Sequence, residues 1–235
     1  LKDLGAAIGK QRVAQTPLGE ITRADANALR DYLLERMKPS SVHRYITVVR
    51  AAVNYVITEH SLNIPNVFNG LRIKGASASV EDRLPLNDHD LAMVAPNFED
   101  DPVAQALFVT LTDTGARLSE ITGLEVRDVD LQQRSITIRP NGIRQLKTKG
   151  SQRTLPLSQR AQELLQGHRR GKGDSDPIFA EYSRPRGRDA ASAMMMKRLR
   201  RSITDKKLTM HSLRHRMKDK LRNTGCPEAI SLAIL

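Results

Sequence analysis

The sequence contains a single cysteine, Cys226, and no tryptophan. One thiol cannot close an internal disulfide, and such a chain suits a reducing compartment. Neither a CxxC pair nor an HExxH string occurs, which removes the familiar spacings of structural and catalytic zinc. Aromatic side chains amount to four Tyr and four Phe, too few for a stacking platform on single-stranded nucleic acid. No apolar run approaches the roughly 20 residues of a membrane helix, and no charged-then-apolar signal segment opens the chain. A membrane partner is therefore not expected.

What the sequence has is charge and enough apolar content for a core. Its 235 residues are 39% hydrophobic and 27% charged, with 38 Lys+Arg against 26 Asp+Glu, a formal net charge of +12. That length and composition allow one large domain or two small ones and exclude a disordered tail. The charge is uneven. Residues 1–80 are net +5, residues 81–168 net −3 and residues 169–235 net +10. Two basic thirds point to a polyanion, with nucleic acid as the first choice; a merely solubilising surface is the plainer alternative.

The periodicity is mostly helical. Thr22 and Asp25 form a capping box ahead of Leu29, Leu33 and Met37, and Pro39 stops that run. A second helix is expected from Ser40 or Ser41, with Val42, Tyr45, Val49, Val53 and Val56 on one face. His43, Arg44, Arg50 and Asn54 lie opposite, turned to solvent or to a partner. Residues 63–80 are rich in Asn, Pro, Gly and Ser and read as a linker. The expected domains are therefore 1–75, small and helical, and 76–235. In the second, Asn87–Asp90 caps a helix, and the apolar stretch Pro102–Thr114 reads as a buried helix ended by Gly115. Ser135–Ile138, Ile143–Lys147 and Arg153–Leu157 are expected to make a three-stranded antiparallel sheet around an Asn141–Gly142 turn. Helices follow at about 158–168, 189–204 and 211–224, with Pro227 opening another. The expected fold class is mainly α with this small sheet.

Three segments carry chemistry: Thr114-Gly-Ala-Arg-Leu-Ser-Glu120, the basic hairpin Leu146-Lys-Thr-Lys-Gly-Ser-Gln-Arg-Thr-Leu-Pro-Leu157, and His211-Ser-Leu-Arg-His215. Singly each is weak, since an Arg beside a Glu is usually a surface pair worth ~0–1 kcal/mol. In this order they resemble the tyrosine recombinase (phage integrase) family, whose catalytic domain reads GxRxxE, a lysine-bearing hairpin, then HxxR. The stretch Ser40–Arg50 is similar to the family's helical core-binding domain. The resemblance runs from about Thr22 to Leu235.

The resemblance implies a site-specific recombinase that cleaves and rejoins duplex DNA through a 3′-phosphotyrosyl intermediate. Arg117 and Arg214 would clamp the non-bridging phosphate oxygens, a task suited to a planar, always-charged guanidinium. Lys147 would protonate the leaving 5′-oxygen. Lys149, two residues on and so on the same side of a regular strand, is the rival. His211 would transfer a proton or bind phosphate, and Glu120 would brace the clamp. Duplex DNA is the implied partner, contacted also by His43, Arg44, Arg50 and Lys149, and the whole enzyme would act as a homotetramer on paired sites in the bacterial cytoplasm. No cofactor or metal is implied. The family's pattern continues with a leucine-glycine-histidine step, a His or Trp and a nucleophilic tyrosine. Tyr32, Tyr45, Tyr55 and Tyr182 all precede the HSLRH segment and none matches, so the nucleophile is expected beyond residue 235. A non-catalytic DNA-binding protein of the same fold is the alternative, and a type IB topoisomerase a weaker one.

Overall fold

A computed structural model describes residues 2–76, 84–142, 144 and 152–235. The chain divides into two compact units, Leu1–Asp82 and Arg83–Leu235.

The first unit holds α1 (Lys2–Ile8), α2 (Lys10–Gln15), α3 (Arg23–Leu34) and α4 (Pro39–Glu59). The Thr22–Asp25 capping box forms in full. Pro39 ends nothing. It opens α4 as its first residue, where its missing N–H is no loss and its fixed φ suits a helix. Val42, Ile46, Leu29, Leu33 and Phe68 bury their side chains together, with Tyr45, Val49 and Val53 packed alongside. Val56, expected on the buried face, is 36% exposed, because the stripe that faces the core runs through Ile46 instead.

The expected linker begins too early. Asn66 donates to Arg50 O (2.9 Å) and Asn54 Oδ1 (2.7 Å). Arg23 donates to Val67 O and Gly70 O, and Phe68 is buried. Turn-forming residues here fold back on α3 and α4 instead of running free. The remainder of the expected linker, residues 77–80, lies outside the described residues.

The second unit is built on α6 (Pro102–Thr114), buried on most sides between α8 (Gln159–Arg169) and α10 (Ser212–Asn223). Around them stand α5 (Asp88–Val94), α7 (Leu118–Thr122), α9 (Gly187–Leu199) and α11 (Glu228–Ile234). One core joins Phe98, Leu107, Leu111, Ile121, Ile136, Ile138, Leu155 and Leu165. The sheet has three antiparallel strands in the order β1 (Val129–Asp130), β2 (Ser135–Ile138) and β3 (Arg153–Pro156). One of its strands was not expected. β2 pairs directly with β3, Ile138 opposite Arg153. The third strand is Val129–Asp130, too short to show a period of two. The expected strand 143–147 lies outside the described residues except Arg144. Arg144 N–H donates to Asn141 Oδ1 (2.7 Å) and Asn141 N–H to Arg144 O (2.9 Å), so a tight turn does form at Asn141.

Candidate active site

The site begins with how α6 ends. Gly115 adopts φ 60°, a left-handed conformation open to glycine at little cost. A Cβ there would meet Met217 Cβ at 2.6 Å, so the glycine also lets α10 approach. The close approach has a consequence: Arg214, on α10, donates through Nη1 to Gly115 O at 2.9 Å. It also donates through Nη2 to Leu235 O, beyond α11. Two residues after Gly115 the chain reaches Arg117, the N-cap of α7. Arg117 and Arg214, 97 positions apart in sequence, thus belong to one locality.

Glu120 organises it. Its side chain is 5% exposed. Oε2 accepts the Arg117 backbone N–H (2.8 Å), and Oε1 accepts Arg117 Nη1 (2.8 Å). Arg153 adds two more donors, Nη2 to Oε2 at 2.8 Å and Nη1 to Oε1 at 3.3 Å. Burial alone would push the Glu120 carboxyl up. The Arg153 hydrogen bonds and the Arg117 N–H outweigh it and hold the pKa below its ordinary value. Arg214 is perturbed the opposite way from a paired arginine. Burial and then the neighbouring Arg117 charge lower it to about 10, and the pull of Glu120 only partly offsets them. Three guanidiniums therefore surround one carboxylate, a local surplus of positive charge.

Sequence reasoning did not assign Arg153 or Arg144. Arg153 is 8% exposed and also donates Nε to Ile234 O at 2.8 Å. It thereby joins β3, α7 and the end of α11. A signal existed: Arg153 shares a strand face with buried Leu155, and an arginine on an apolar face needs an internal acid. Arg144 is 4% exposed and donates to Glu120 O (2.6 Å), Arg139 O (2.6 and 2.8 Å) and Asp128 Oδ2 (3.3 Å). It fastens the Asn141 turn to the α7 backbone.

His211 stands at the N-cap of α10, exposed, with its ring 5.0 Å edge-on from that of His215. Its carbonyl accepts the Arg214 N–H, so the two expected site residues share the first turn. Lys147 and Lys149 lie outside the described residues. In the first unit, His43 and Arg44 are exposed on α4, and Arg50 is half-buried.

An arrangement of this kind can hold an oxyanion in a field of fixed positive charge, with donors set before the anion arrives. A mainly helical two-unit protein carrying such a site belongs to a class whose chemistry suits an anionic ligand. The chain belongs to the phage integrase family, the tyrosine recombinases, whose sequence profile matches residues 82–231. It is 23% identical over 231 residues to "Tyrosine recombinase XerC" of Pediococcus pentosaceus, covering 90% of this chain and 72% of that one. Its fold is similar to that of the Tn1549 transposon integrase in complex with a circular intermediate DNA (TM-score 0.75, 19% identity, 99% of this chain and 83% of that one). It also matches a lambda integrase tetramer bound to a Holliday junction (TM-score 0.71, 16% identity, 100% and 67%).

Proposed function

We propose that this chain is the DNA-gripping and transition-state-stabilising part of a site-specific recombinase that breaks and rejoins duplex DNA through a 3′-phosphotyrosyl intermediate. The observation that carries the reading is the surplus charge at Glu120: Arg117, Arg153 and Arg214 around one buried carboxylate, with Arg214 lowered to about 10. A cation held in that condition is relieved by an anion. The trigonal-bipyramidal phosphoryl transition state, with charge concentrated on its non-bridging oxygens, is the anion the family's reaction supplies.

In this reading Arg117 and Arg214 donate to those oxygens. Glu120 acts as a positioning residue that fixes the Arg117 fork from behind. His211, exposed beside them, binds the phosphate or moves a proton, and Lys147 protonates the leaving 5′-oxygen, with Lys149 the rival. Losing one clamp donor costs on the order of 10²–10³ in rate.

We place the nucleophilic tyrosine outside residues 1–235. Tyr32, Tyr45 and Tyr55 belong to the first unit, where the Tyr45 hydroxyl donates to Asp3 (2.6 Å) and its pKa is pushed up to about 12. Tyr182 packs on the core of the second unit, and burial raises its pKa, the wrong direction for a nucleophile. The first unit serves as the core-binding domain, with His43, Arg44 and Arg50 of α4 on the DNA, and the second as the catalytic domain. The whole enzyme works as a homotetramer on paired sites in the cytoplasm.

The test is duplex affinity across salt concentration, for the wild-type chain and for R117A and R214A. The wild type should bind with a steep log–log salt slope, and each substitution should weaken binding independently of sequence. A flat slope would remove DNA from the reading. A complete enzyme that fails to form a covalent DNA adduct would instead favour the non-catalytic alternative.

A further inference from the structure

We propose that the Ser183–Arg188 turn ahead of α9 is a second phosphate-binding site, which holds a neighbouring phosphate of the strand gripped by Arg117 and Arg214. The inference deepens the recombinase reading and rests on it.

The turn and the arginine site share a cavity. A pocket of about 580 Å³ is lined by Arg117 and Glu120 and also by Arg184, Arg186, Arg188 and Asp189. Successive phosphates of one strand are spaced about 3.4 Å along the duplex axis. A pocket of this volume has room for a phosphate group, and Arg117 lines it together with the arginines of the turn.

The turn is rigidly built and firmly attached. Ser183 is buried, and its hydroxyl donates to Thr122 O at 2.7 Å, which fastens the turn to α7, the helix that Arg117 and Glu120 open. Arg186 takes φ 59°, an uncommon conformation for a residue with a Cβ. Gly187 then passes so close to Tyr182 that a Cβ would lie 2.0 Å from its carbonyl oxygen. Glycine is required there by that close approach.

The chemistry presented is cationic. Arg186 is 90% exposed and Arg188 67% exposed, and both draw on a single carboxylate, Asp189, at 4.0 and 3.2 Å. Arg184 donates Nε to Glu181 O, and among the described residues no carboxylate lies within ion-pair distance of it. Two guanidinium forks thus share one acid and the third stands apart from it, beside a pocket that already contains Arg117. Guanidinium forks match phosphate oxygens in pairs and need no base identity to do so. The same turn would serve as an ordinary solvated surface if no anion came near it. Its continuity with Arg117 argues otherwise.

The experiment compares the wild-type chain with a variant carrying R184A, R186A and R188A together, and with D189N. Because the three side chains are exposed, the unfolding midpoint should not move. Duplex affinity at physiological salt should fall at least tenfold for the triple variant, equally on unrelated sequences. Its log–log salt slope should become shallower by about 1–2, at roughly 0.9 for each phosphate no longer neutralised. D189N, which frees two forks from their acid, should bind a few-fold tighter. A triple variant with wild-type affinity and slope overturns the second site while leaving the first intact. A drop in affinity confined to one DNA sequence overturns it in favour of base reading. Protection of the turn's arginines from chemical modification by inorganic phosphate alone, with duplex affinity unchanged in the triple variant, overturns it in favour of a free-anion site. A wild-type chain that binds no duplex overturns both readings together.

Discussion

Two clusters of arginine and carboxylate meet at α7, and they are balanced differently. In one, fully buried Asp128 accepts from Arg139 and from Arg144, while Glu125 lies 3.9 Å from Arg139 and takes the solvent-facing Arg127 on its outer side. In the other, Glu120 faces Arg117, Arg153 and, through space, Arg214. Burial lowers the pKa of one arginine in each cluster, Arg144 and Arg214. For Arg144 the next influence is the opposite charge of Asp128, which pulls it back. For Arg214 it is the like charge of Arg117, which lowers it further. The first cluster is the more nearly closed: Arg144 ends on Asp128 and on backbone carbonyls, as structural ion pairs must, and among its atoms Arg139 Nη2 is buried without a hydrogen-bond partner. The second keeps a surplus of positive charge, which in the proposed reading a phosphate would offset.

The sharpest way to break this contrast is D128A. Removing the acid strands Arg144 and Arg139 inside the protein, and such a loss typically costs about 3–5 kcal/mol. Hydrogen exchange should report it across the second unit. A change as small as that of a surface pair would mean that the first cluster is not closed.

E120Q should cost less, about 1–3 kcal/mol, since the amide still accepts hydrogen bonds. The pH dependence sharpens the point. Glu120 has a folded pKa below its ordinary 4.5. Its contribution is therefore fully present above that ordinary value and is lost as pH falls through the lower, folded one. E120Q should lack this part of the acid limb when denaturation midpoints are compared from neutral pH downward.

T22A removes a capping-box acceptor at the start of α3 and should cost about 1 kcal/mol. The loss should be confined to exchange in the first unit and leave both arginine clusters untouched.

R214M is predicted to have the smallest effect on stability, and its sign is diagnostic. Without an anion it should be no less stable than wild type, because a half-buried cation next to Arg117 is removed along with its hydrogen bonds. Added sulfate should raise the thermal midpoint of wild type more than that of R214M, because only a site that binds the folded state's anion gains from it. Equal midpoint shifts would erase the distinction between the two clusters.

Much of this was legible in the residue order. Both capping boxes, the αL glycine that ends α6, the β2 strand and the start of α11 after Pro227 follow from local chemistry, in which each residue's preference is set by neighbours three or four positions away. So does the nearness of Glu120 to Arg117, three residues apart at a helix start. The pairing of β2 with β3 and the role of Val129–Asp130 were not legible. A two-residue strand has no period, and turn residues at 141 and 142 announce a turn without saying which strands it joins. Residues 63–76 misled for a related reason: Asn, Pro and Gly specify that the chain bends, and only Phe68 finding the α3–α4 core decides that it stays.

The sequence by itself therefore determined the helices, their caps, the basic balance and the motifs that a family resemblance could read. Tertiary structure alone decided that Arg153 turns inward to share Glu120, that Gly115 lets α10 bring Arg214 beside Arg117, and that the turn at Arg186 opens onto the same pocket. The physical reason is range. Capping and periodicity act over a few residues, whereas burying one carboxylate among three guanidiniums requires side chains from α7, β3 and α10 to be desolvated together, and that happens only once the core between them has closed.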